Sequence, residues 1–126
     1  MPDAVAVTIG YLRAALVARG DNVPIGTRVP SPRPARFVRV ERIGGPADSI
    51  VTDRPRLDVH CWGADEGAAH DLMRVCRALL GAARGSYGGT TLARPVTGGP
   101  IFMPDAETGS ARYAFTLDIT MRGQPL

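Results

Sequence analysis

The 126-residue chain contains no lysine; all 15 of its basic residues are arginine. An arginine-only set is explained first by a GC-rich coding genome; the functional alternative is a bias toward planar, multidentate contacts with partner chains or phosphate. The formal net charge is only +3. That is too modest for a dedicated nucleic-acid binder, which concentrates far more charge on one face. Long apolar runs are missing too: none approaches the roughly 20 residues that a helix needs to cross a bilayer. The start of the chain carries an acid at Asp3 and no basic stretch before its apolar residues, unlike a secretory signal. The expectation is a protein that works in the cytoplasm where it is made.

Cysteine and histidine are scarce, with two of each. Cys61 and Cys76 fall in apolar surroundings and are expected to be buried free thiols of a reducing compartment. His60, Cys61, His70 and Cys76 are the only residues that suggest zinc. Adjacent strand residues point to opposite faces, and the spacing matches no finger pattern, so no metal is expected. Asp58 and His60 share a strand face and resemble a base with its orienting carboxylate. No GxSxG or HExxH frame supplies a nucleophile or a metal beside them. They read as a solvated or interface-facing pair, and the chain as a protein that is not an enzyme. The "GSYGG" segment, Gly85 to Gly89, lacks the Walker pattern and precedes a strand, so it reads as a turn rather than a phosphate loop. No cofactor is expected.

What is present points to one folded domain spanning residues 1–126. Its hydrophobic share of 44% and charged share of 21% are ordinary for a globular chain, and its length suffices for a single core without staples. There is no internal repeat and no low-complexity tail. From Asp3 to Arg19, Val5, Ile9, Leu12 and Leu16 form one stripe of an amphipathic helix. Asp3 is placed to cap that helix and Gly20 to end it. Gly10 weakens its middle by up to about 1 kcal/mol relative to alanine, a loss that tertiary packing must offset. A second helix is expected from about Asp65 to Ala83. Its stripe is Ala68, Leu72, Val75 and Leu79, with Asp65 and Glu66 at its positive end.

The strands follow a period of two. Val23 to Val29 reads as a short strand broken by Pro24 and therefore near an edge. Phe37 to Ile43 places Val38 and Val40 on one face, with Arg39 and Glu41 on the other. "RLDVHCW" puts Leu57, Val59 and Cys61 inward, and Asp58, His60 and Trp62 outward or toward a neighbour. Leu92 to Val96 and Ile101 to Met103 read as two short strands. The last strand alternates Tyr113, Phe115, Leu117, Ile119 and Met121 with polar or small residues. The segments 44–54 and 98–111 are rich in glycine, proline and small polar residues. They read as loops that are mobile in the isolated subunit and ordered against partners. Helix, three strands, helix and a run of strands imply an α+β fold, a mainly antiparallel β-sheet with two α-helices packed on one face.

The positive charge is concentrated. Seven arginines lie between Arg28 and Arg56 against Glu41, Asp48 and Asp53, while the remaining eight face nine acids. Pro30, Pro32 and Pro34 stiffen the connector that carries part of this charge. Arg28, Arg33 and Arg36 lie in or beside that connector and are candidate contacts to a partner chain, where guanidinium groups make bidentate contacts with carboxylates. Trp62, at the end of its strand, is a candidate interface anchor, or else a half-buried cover for the sheet's end.

Taken together, "AVAVTIGYLRAAL", "IGTRVPSPRPARFVRVERIGG", "DRPRLDVHCWGADEGAAHDLMRVCRALL" and "YAFTLDITMRG" resemble the tail terminator proteins of long-tailed bacteriophages, especially those of actinobacterial hosts. The likeness covers nearly the full chain. It implies a small α+β subunit of the virion that forms a homo-oligomer, a hexameric ring. The ring would cap the tail tube at full length, meet the head-completion or neck protein, and touch DNA passing through its lumen at most weakly. The family brings no catalytic residue. A second reading, from a different class, is a DNA-contacting head-tail adaptor that places the connector arginines on phosphate.

Overall fold

The computed structural model describes residues 3–47, 49 and 51–123. Helix α1 (Ala4–Ala18) begins where Asp3 accepts the amides of Val5 and Ala6 at 2.9 and 3.2 Å. It ends at Gly20, whose φ of 79° suits a left-handed cap. Ile9, Leu12 and Leu16 are buried as their spacing requires. Val5 is only half-buried, and Ala4 and Thr8 complete the stripe instead. Thr8 is tolerated there because its hydroxyl donates to the Ala4 carbonyl at 2.8 Å. Gly10 has a packing reason. A Cβ at that position would lie 2.7 Å from the Tyr87 hydroxyl, so the missing side chain is the space that Tyr87 fills.

The strands are β1 (Ile25–Gly26), β2 (Phe37–Gly44), β3 (Thr52–Asp53), β4 (Arg56–Trp62), β5 (Gly85–Tyr87), β6 (Thr90–Phe102) and β7 (Arg112–Arg122). All seven join one sheet in the order β1, β2, β4, β7, β6, β5, with β3 pairing the end of β7. Every pair is antiparallel except β1 with β2. That parallel pair explains the proline connector: residues 27–36 must carry the chain back along the sheet before β2 can start. The strand expected from Val23 to Val29 thus shrinks to two residues at the edge.

The region after α2 (Glu66–Gly81) also departs from the expected pattern. Leu92 to Val96 and Ile101 to Met103 are not two strands. They belong to the single strand β6, interrupted by irregularities between Ala93 and Val96 and between Gly98 and Ile101. Glycine and proline bend this strand without ending it, because its partner β7 continues unbroken alongside. The "GSYGG" segment forms β5 and the turn into β6.

Both helices cover one face of the sheet. Val38, Val40, Leu57, Val59, Cys61, Phe115, Leu117, Ile119 and Met121 meet them there. Asp65 caps α2 by accepting the Ala68 amide at 2.8 Å. The buried line of α2 is Ala69, Leu72, Met73, Cys76 and Leu80 rather than Ala68, Leu72, Val75 and Leu79. The sheet sets that line. Val75 and Leu79 are only partly buried at its margin, and the Leu79 carbonyl receives the Tyr11 hydroxyl of α1 at 3.4 Å. Each fully buried leucine in this layer contributes roughly 1.5–3 kcal/mol. Leu117→Ala at its centre, fully buried, would cost about 2–5 kcal/mol.

The segment 44–54 is more structured than its composition implied. Asp53 is buried, and Arg42 grips it with two hydrogen bonds of 2.6 and 2.8 Å while also donating to the carbonyls of Gly44 and Gly45. Asp48 and Ile50 of this segment lie outside the described residues. The segment 98–111 is likewise bonded: Gly98 to Phe102 belong to β6, and Asp105 anchors the following turn.

Candidate subunit interface

Trp62 is buried, at 1% exposure, within its own chain. Its strand alternation points it to the sheet face opposite the helices, where Phe37 stacks on it with ring centroids 4.3 Å apart and planes at 12°. Three guanidinium groups surround the indole: Arg33 at 5.8 Å, Arg39 at 5.5 Å and Arg112 at 5.3 Å. The indole N–H donates to Asp105 at 3.4 Å. Such cation–π contacts contribute about 0.5–2 kcal/mol each, more as they lose water. Trp62 is therefore a clamp that holds the connector and the β6–β7 turn to the sheet, and its ring offers no free surface to a partner. The lone tryptophan at a strand end was a visible signal. Its neighbours come from sequence positions far apart.

His60 is also buried on this face. Arg39 approaches its Nδ1 at 3.3 Å and Asp58 its Nε2 at 3.1 Å. Because a guanidinium only donates, Nδ1 is the acceptor and Nε2–H the donor to Asp58. The pair expected to be solvated or interface-facing is instead one end of a hydrogen-bonded row running from Asp58 to Arg39 beneath the tryptophan. Both ring nitrogens are engaged by the fold.

The three connector arginines do different work. Arg36 binds Asp21 through two bonds of 2.7 and 2.6 Å, tying the connector to the segment after α1. This hydrogen bonding holds the Asp21 carboxyl below its ordinary range. Arg33 donates to Asp105 at 3.2 Å and lies 5.2 Å over the Phe37 ring. Asp105 is held low by the Glu107 amide first, then by Trp62 and Arg33. Arg28 is exposed and has no ion-pair partner among the described residues. Of the three candidate partner contacts, Arg33 and Arg36 are thus already paired within the chain while remaining partly exposed, at 31% and 44%.

Cys61 and Cys76 are free and buried. Contact with the Cys76 thiol, followed by burial, holds the Cys61 thiol well above its ordinary range. Among the described residues no three His, Cys, Asp or Glu side chains gather as metal ligands, and no helix is long and apolar enough to cross a membrane.

Sequence reasoning missed the apolar surface. Val96 and Ile101 on β6 are 61% and 60% exposed, with Phe102 beside them, and Ile43 is exposed at the far end of β2. β4 and β7 separate these two strands. Beyond β5, which pairs only with Thr90 to Leu92, the outer edge of β6 carries no strand among the described residues. Reading β6 as one strand would have exposed this edge in the sequence. The chain matches no protein-family model and no curated protein.

Proposed function

We propose that the chain is a non-enzymatic structural subunit of a phage virion, a tail terminator. Its copies join head-to-tail into a hexameric ring that caps the tail tube and docks the neck. A ring requires two unlike patches, each repeated until rotation closes the circle. The observation that carries the reading is the placement of exposed large apolar side chains at two separated strands of one sheet: Val96, Ile101 and Phe102 on β6, and Ile43 on β2. Arg28, exposed and without an ion-pair partner among the described residues, suits the charged rim of such a contact. The connector gives less support to the DNA-contacting adaptor, because Arg33 and Arg36 already meet carboxylates of their own chain.

Solution mass and electron microscopy of the purified protein, alone and with tail tubes, test this reading. The expected result is a closed ring in at least one of the two conditions. Val96→Asp combined with Ile101→Asp should leave the circular dichroism intact and abolish the ring. A protein that stays monomeric in both conditions and does not bind tubes would overturn it.

A further inference from the structure

A second site lies away from the connector. Beside the end of β3 and the start of β4, over the interior of β6 and β7, an open cavity of about 370 Å³ is lined by Arg54, Arg56, Arg94 and a single carboxylate, Asp118. Its wall is built by backbone. Gly45 passes so close to the chain at Arg54 to Arg56 that a Cβ there would collide with the Arg54 carbonyl oxygen and the Arg56 amide nitrogen. Arg94 is the sole described residue other than glycine with positive φ, at 55°. It also precedes Pro95, a position that normally forces extended backbone. It sits in the irregularity of β6 between Ala93 and Val96. A side chain in this backbone state persists where the surroundings hold it, and such positions gather at ligand sites.

The charges are unevenly used. Arg56 meets Asp118 through Nε at 3.2 Å, an exposed single contact that leaves its other donors uncommitted to that carboxylate. The Arg94 side chain has no hydrogen bond or ion pair among the described residues. Arg54 has an interaction of its own, so the inference rests on Arg56 and Arg94.

We infer that this cavity binds a phosphate group, with Arg56 and Arg94 as its ligands and Asp118 as the internal carboxylate that phosphate displaces from Arg56. A carboxylate has two oxygens in one plane and is satisfied by one guanidinium fork. A tetrahedral phosphate presents oxygens in several directions and accepts from guanidiniums that approach from different strands, which is the arrangement here. The phosphate can be free, part of a nucleotide, or part of a nucleic-acid backbone. The inference is independent of ring formation.

Titration of the intact protein with inorganic phosphate, and separately with a short DNA duplex, at matched ionic strength tests it, read by NMR of the arginine Nε–H signals. Phosphate should shift the Arg56 and Arg94 signals at concentrations where acetate and chloride do not. Arg94→Gly, which relaxes the backbone and so keeps the fold, should weaken binding roughly tenfold. Asp118→Asn should strengthen it by removing the competitor. A duplex that shifts the same signals identifies a nucleic-acid backbone as the source; a response to inorganic phosphate alone identifies a free phosphate or nucleotide. An equal response to acetate would point to a carboxylate of a neighbouring protein and overturn the inference. Unchanged phosphate binding by Arg94→Gly would do the same.

Discussion

Arg33 and Asp105 stand 72 positions apart in sequence and meet at 3.2 Å, joining the proline connector to the turn between β6 and β7 over the face of Trp62. The contact closes a clamp in which the indole is enclosed by arginines from the connector, β2 and β7. Trp62→Ala should therefore cost about 3–5 kcal/mol, as expected for a buried large aromatic. Arg33→Ala should cost about 1 kcal/mol, chiefly through its ring contacts. Arg28→Ala should leave stability unchanged. Urea unfolding of the three variants measures this order. Equal stability of Arg33→Ala and Arg28→Ala would remove Arg33 from the clamp.

The Arg36 and Asp21 pair sets an acid dependence. Hydrogen bonding from Arg36 lowers the folded-state pKa of Asp21. Its stabilisation is complete above the unfolded carboxylate value of about 3.9 and is lost as pH falls through the lowered folded value. Both side chains are partly exposed, at 44% and 25%, so solvent screening limits the pair to about 0.5–1 kcal/mol. The stability difference between wild type and Arg36→Ala should be constant from pH 7 to about pH 5 and shrink toward zero below about pH 4. Thermal melts across that range read it directly, and a gap that widens in acid would contradict the assignment.

The two thiols should be inert in the folded protein. Burial and mutual contact hold Cys61 in its thiol form, and only the thiolate is nucleophilic. An alkylating reagent at mildly alkaline pH should label neither cysteine until denaturant is added, and then label both. Rapid labelling of the native protein would show that the layer between β4 and α2 opens.

Much of the architecture was legible because it depends on local periodicity. Asp3, Ile9, Leu12 and Leu16 define α1 by spacing and capping alone, and the alternation in β4 and β7 declares which residues face the helices. The α+β class follows from the order of such segments. Sequence could not phase α2, since Val75 and Ala69 are both suitable apolar residues and only the position of the sheet decides between them.

Tertiary structure decided the roles of the polar groups. The composition of residues 98–111 is that of a free loop, yet Gly98 to Phe102 complete β6 and Asp105 is held by Arg33 and Trp62. Arg28, Arg33 and Arg36 look alike in the sequence, and their partners separate them: none for Arg28 among the described residues, Asp105 for Arg33, Asp21 for Arg36. The sequence determined the helices, the alternating strands and the apolar layer between them, because those follow from patterns that repeat within a single helix or strand. Which guanidinium is paired within the fold and which is left exposed depends on contacts between distant segments, and these exist only once the sheet has closed.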